Sequence, residues 1–128
     1  MQEINFQSTN TTKRKLPRLR FRHMKDAVLG KDYDLSVVFV GKTKIQSLNK
    51  TYRKMDSPTD ILSFPLSEKS GEIYICLDVA DKKSLEFERS PRNFLDFLFI
   101  HGLVHLLGHD HSDAMEKIEE KFRKKFNI

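Results

Sequence analysis

The sequence holds a single cysteine, Cys76, in 128 residues, so no disulfide can form within the chain and side-chain packing must hold the fold. A chain of this length can bury a real core without such staples. Cys76 sits in the apolar stretch Ile73–Val79, where a buried structural thiol is expected rather than a nucleophile. There is no internal repeat and no low-complexity linker, which points to one domain over residues 1–128. Long apolar runs are also missing. The most apolar stretch, Phe97 to Leu107, is too short to span a bilayer and carries two histidines. The opening MQEINFQSTN is polar and lacks the apolar centre of an export signal, so a cytoplasmic protein with no membrane association is expected.

Charge is plentiful. Charged residues make up 32% of the chain and the net charge is +5. A basic surface suits a polyanion such as RNA, and it also serves plain solubility. The densest basic stretch runs Lys13-Arg14-Lys15, Arg18, Arg20, Arg22 and Lys25. Arg18, Arg22 and Lys25 would share one side of a helix, either as a solvated face or as a contact for an RNA backbone. No stacking motif of interleaved aromatics accompanies them.

The hydrophobic pattern predicts the order β-α-β-α-β-β-α-α-α. A short strand is expected at Ile4-Asn5-Phe6. A helix is expected from Pro17 to Gly30, with Phe21, Met24 and Val28 inward. Asp34 to Val40 reads as a buried strand. Thr43 and Gln46 form a capping-box pattern for a helix with Ile45, Leu48 and Tyr52 on one face. Asp56–Thr59 is turn chemistry. Asp60 to Leu66 reads as a strand that Pro65 confines to an edge, and Glu72 to Leu77 as its neighbour. Asp78 to Glu88 should be helical. Ser90 and Pro91 mark the start of a long helix to Leu107, apolar on nearly every side and therefore central and buried. Asp113 and Glu116 open a last helix, with Met115, Ile118, Phe122 and Phe126 inside and Glu119–Arg123 and Glu120–Lys124 pairs outside. These elements predict an α+β fold: a small mixed four-stranded sheet packed with about five helices.

The segment HGLVHLLGHDH carries the chemistry. His101 and His105 are one helical turn apart and can share a cation. Gly108 allows a left-handed turn that stops the helix and returns His111 to the same point. Three histidines leave a fourth tetrahedral position open, as in catalytic zinc sites. His109 competes as third ligand, but only if the helix runs on through Gly108. Asp110 is a candidate to orient an imidazole or to serve as a turn residue. The spacing H-x3-H-x2-G-x2-H is that of metzincin peptidases, in which a glutamate general base follows the first histidine. Here that position is Gly102, which cannot move a proton.

The same segment resembles the HGxLHLxGYDH motif of the YbeY family of bacterial rRNA maturation endoribonucleases, with Val104 and His109 as departures. Leu48 to Pro65, LNKTYRKMDSPTDILSFP, resembles that family's LNxxYRxxDxPTDVLSFP. Gly71-Glu72-Ile73-Tyr74-Ile75 resembles its GDI-x-I strand. The similarity runs from about Val37 to Met115. It implies a metal-dependent endoribonuclease directed at single strands in small-subunit rRNA 3′-end maturation and ribosome quality control. It implies one zinc ion on His101, His105 and His111, a role for Arg53 in stabilising phosphate charge, and RNA, above all rRNA and the ribosome, as partner. Asp60, Ser63 and Asp110 are candidate general bases by residue type alone. The competing functions are a zinc peptidase and a non-catalytic ribosome-binding factor braced by its metal.

Overall fold

The computed structural model describes residues 5–108 and 113–128. Among these the elements are β1 (Phe6–Asn10), α1 (Phe21–Leu29), β2 (Asp34–Phe39), α2 (Lys42–Arg53), β3 (Ile61–Ser67), β4 (Ser70–Ile75), α3 (Leu77–Glu86), α4 (Pro91–Leu106) and α5 (Asp113–Phe126). The strands form one sheet in the order β1-β2-β4-β3. β1, β2 and β4 run parallel, and β3 runs antiparallel to β4. The fold is α+β with a mixed four-stranded sheet and five helices among the described residues, as the patterning predicts.

The two faces of the sheet are covered differently. Leu35, Val37 and Phe39 alternate inward along β2 and join Ile73 and Ile75 of β4 in the main core. α1 and α4 close that side, with Phe21 stacked on Phe99 at 3.7 Å between ring centres. The opposite face carries Val38, Leu62 and Tyr74 against Ile45 and Leu48 of α2. α4 is buried over most of its length and holds the centre of the molecule. Its start follows the sequence signal: Ser90 Oγ accepts from Asn93 N–H at 3.1 Å, with Pro91 in the first turn. Gly108, at φ 92°, donates its N–H to His105 O and turns the chain out of the helix.

Several boundaries differ from expectation. α1 begins at Phe21 rather than Pro17, because residues 17–20 form a strap held from outside: Arg92 donates to Arg18 O, and Arg20 donates to Phe126 O. β1 begins at Phe6 and runs to Asn10, following its parallel pairing with Leu35–Phe39. Ile4 lies outside the described residues. The Thr43–Gln46 capping box does not form. Gly41 is the cap, and Gln46 donates instead to Asp56 Oδ1 at 3.0 Å. Asn49 donates to Ser57 O at 2.9 Å, so α2 clamps the turn that feeds β3. β3 is an edge strand, with Pro65 beside a register shift, as its proline requires.

Candidate metal centre

Two helices build the centre. His101 and His105 lie one turn apart on α4, and their Nε2 atoms are 3.1 Å apart. Two ligands of one tetrahedral cation at metal–nitrogen distances near 2.05 Å stand about 3.3 Å apart, so the pair is close to the spacing a shared cation imposes. α5 supplies the third side chain. Glu119 is buried, and its Oε1 lies 2.9 Å from His101 Nδ1. A carboxylate only accepts, so Nδ1 carries the proton and the Nε2 lone pair of His101 is the one beside His105. A carboxylate on the far nitrogen of an imidazole is the arrangement that orients histidine ligands in metal sites.

Glu119 corrects the expectation from patterning. Its spacing to Arg123 suggested an exposed pair, yet it faces inward onto His101, while Glu120–Lys124 does form on the surface at 3.3 Å. Among the described residues no group of three histidine, cysteine or acidic side chains gathers as a metal cluster. His111, its rival His109 and Asp110 lie outside the described residues.

Gly102 lies at a close approach of two elements. A Cβ there would stand 2.9 Å from Ile61 Cδ1 and 3.0 Å from Ser63 Oγ, because α4 packs directly on β3. A side chain at the position that holds the base in metzincin peptidases would have to displace the tips of Ile61 and Ser63.

Arg53 is the last residue of α2, where Lys54 turns left-handed at φ 58°. It lines the same cleft as His101 and His105. One of its Nη2 hydrogens is donated to Ser63 O at 2.9 Å, and its guanidinium lies 4.9 Å from the centre of the Phe64 ring. Ser63 Oγ in turn donates to Gly102 O at 3.2 Å. β3 thus ties the arginine to the helix that carries the histidines. Of the base candidates, Asp60 is buried in the cleft wall and paired with Lys83 at 3.2 Å, and the Ser63 hydroxyl is committed to Gly102.

The N-terminal basic face does not assemble. Arg18 lies outside α1, and Lys25 is buried, with its ammonium donating to Asp26 and to Lys31 O at 3.1 Å. Among the described residues no helix is long and apolar enough to cross a membrane.

The sequence matches the family model described as Endoribonuclease YbeY over residues 2–127. Endoribonuclease YbeY of Aquifex aeolicus strain VF5 is 43% identical over 96 residues, covering 70% of this chain and 63% of that protein. The protein of the same name from Staphylococcus carnosus strain TM300 is 38% identical over 113 residues, covering 79% of this chain and 74% of its own. The matched part thus spans less than two thirds of the Aquifex protein. Among solved structures, TM1509 of Thermotoga maritima, determined in solution, superposes with a TM-score of 0.66 at 25% identity, covering 95% of this chain and 91% of that one. With a family model spanning nearly the whole sequence and relatives 38–43% identical over most of it, this chain belongs to the endoribonuclease YbeY family.

Proposed function

We propose that this chain is a single-domain, zinc-dependent endoribonuclease over residues 1–128 that cuts single-stranded RNA. Its setting is small-subunit rRNA 3′-end maturation and ribosome quality control in the cytoplasm, with rRNA and the ribosome as partners. The observation that carries the reading is the 3.1 Å approach of His101 Nε2 to His105 Nε2 with the Glu119 carboxylate behind His101. Family membership supports it, since the relatives bear the name endoribonuclease.

His101, His105 and His111 would hold one zinc ion, leaving one coordination position open. Zinc in such a site supplies positive charge and makes water acidic enough to act as a nucleophile near neutral pH. The chain's own residues do the rest. Glu119 keeps the proton of His101 on Nδ1 and fixes the ring. Arg53 commits one hydrogen bond to Ser63 O and keeps its other guanidinium hydrogens for phosphate oxygens that gain charge as the phosphodiester is attacked. Gly102 lets α4 approach β3 closely enough for Ser63 to connect both parts. A peptidase of the metzincin kind would need a carboxylate where Gly102 stands.

The test is cleavage of single-stranded RNA and of casein by the purified protein, before and after chelation. RNA should be cut, casein left intact, and activity lost with metal and regained with zinc. The protein should hold about one equivalent of zinc, and His105→Ala should lose it, since two imidazoles bind weakly. Intact RNA with zinc-loaded protein, or full zinc retention in His105→Ala, overturns the reading.

A further inference from the structure

The cleft that holds His101, His105 and Arg53 extends to the turn between α3 and α4, where aromatic and cationic side chains meet. Phe87 is 52% exposed there. Its inner side rests on Phe94 and Phe97, with ring centres 5.2 Å and 6.0 Å away. Two guanidinium groups approach Phe97: Arg89 at 4.5 Å and Arg123 at 5.3 Å from the ring centre. Among the described residues neither has a carboxylate within ion-pairing distance, and Arg89 is held by Asn93 in the first turn of α4.

The turn itself is closed by backbone hydrogen bonds. Arg89 N–H donates to Ser84 O at 3.0 Å and Glu88 N–H to Leu85 O at 3.2 Å, the two bonds of a Schellman ending. Glu88 takes the left-handed position at φ 53°, where glycine is usual. Phe87 is therefore presented outward at the hydrogen-bonded end of α3.

We propose that Phe87, backed by Phe97 and flanked by Arg89 and Arg123, is a subsite for a nucleobase and its adjoining phosphate in single-stranded RNA bound across the cleft. This rests on the endoribonuclease reading and assigns a second point of substrate contact, apart from the metal end. An exposed phenyl ring accepts the face of any base, and two guanidiniums with no carboxylate partner among the described residues suit the phosphate that follows it. A purely apolar partner would have to bury those cations unpaired, which disfavours a protein docking patch here.

The experiment is a steady-state comparison on a single-stranded oligouridylate with zinc-loaded protein. Phe87→Ala should raise KM about five- to a hundredfold, the range seen on removing one stacked base contact, with kcat nearly unchanged. Phe87→Trp should restore the wild-type KM, and Phe87→Leu should not, because leucine keeps the apolar bulk without the flat face. Arg89→Gln with Arg123→Gln should raise KM and flatten its rise with salt. An unchanged KM in Phe87→Ala, or full rescue by leucine, overturns the subsite while leaving the nuclease reading intact. Wild-type protein that cuts no RNA overturns both.

Discussion

Glu119 of α5 places a buried carboxylate oxygen 2.9 Å from Nδ1 of His101 on α4, so the last helix of the chain fixes the orientation of a side chain eighteen residues before it. The contact joins docking of α5 to assembly of the centre. It predicts that Glu119→Ala weakens zinc binding by about 10- to 100-fold, the usual cost of losing the partner behind a metal-bound imidazole. Glu119→Gln should lose less, since its amide oxygen still accepts from Nδ1–H. Competition against a chromophoric chelator reads this directly. If Glu119 merely props α5, both variants will lower the thermal midpoint with zinc affinity unchanged, and the orienting role fails.

Gly102 predicts a packing effect. An added Cβ would press on Ile61 and Ser63, with Ile73 Cδ1 next at 3.3 Å. Ile73 is fully buried, so it has little space to yield. Gly102→Ala should cost about 1–3 kcal/mol in denaturant unfolding, the range for overpacking. Gly41 is the control: it caps α2 in extended conformation with nothing near its Cβ position. Gly41→Ser should be neutral or stabilising by a few tenths of a kcal/mol, because serine can accept from the first turn as glycine cannot. Equal losses at the two positions would contradict the close approach of α4 to β3.

The element order, the edge position of β3 and the start of α4 were legible because each rests on local signals: periodicity, Pro65, and the Ser90-Pro91 pair. The spacing of His101 and His105 was legible for the same reason, since one helical turn sets it. Glu119 was not. Its spacing to Arg123 copies that of a solvated pair, and only the packing of α5 on α4 turns it inward. The same limit hid Lys25, whose place among basic residues suggested exposure although Met24 and Val28 carry it into the α1 packing face. The hold of Ser63 and Phe64 on Arg53 depends on β3 running beside the end of α2, and no short-range pattern encodes that.

Asp96 predicts a pH dependence. It is buried in α4, and burial raises its carboxyl above the ordinary aspartate value, against the opposing pull of Arg20 and Arg92. The folded state therefore holds this proton more tightly than the unfolded chain does. Its contribution to stability is fully present below the unfolded value near 3.8 and declines as pH rises through the folded one. Asp96→Asn carries no such proton. Relative to wild type, its unfolding free energy should improve between acidic and neutral pH, measured by urea denaturation at several pH values. A difference that stays constant, or moves the other way, would mean that Arg20 at 3.6 Å outweighs burial.

Arg53 separates chemistry from structure. It ends α2 and is largely exposed, held by one hydrogen bond to Ser63 O and by the face of Phe64. Such an anchorage contributes little to the fold, so Arg53→Glu should leave zinc content and thermal midpoint near wild type. RNA cleavage should fall by orders of magnitude, as expected on replacing a charge partner of the transition state with its opposite. Arg53→Lys keeps the charge but loses the planar fork. It can satisfy Ser63 O or the phosphate, not both in fixed geometry, so it should recover only part of kcat. Phe64→Leu offers a second reading of the same idea: it removes the ring beneath the guanidinium while keeping apolar bulk, and should lower kcat more than it alters the thermal midpoint. Wild-type cleavage by Arg53→Glu would remove the arginine from the chemistry. Loss of zinc or unfolding in that variant would assign it instead to holding the end of α2 against β3.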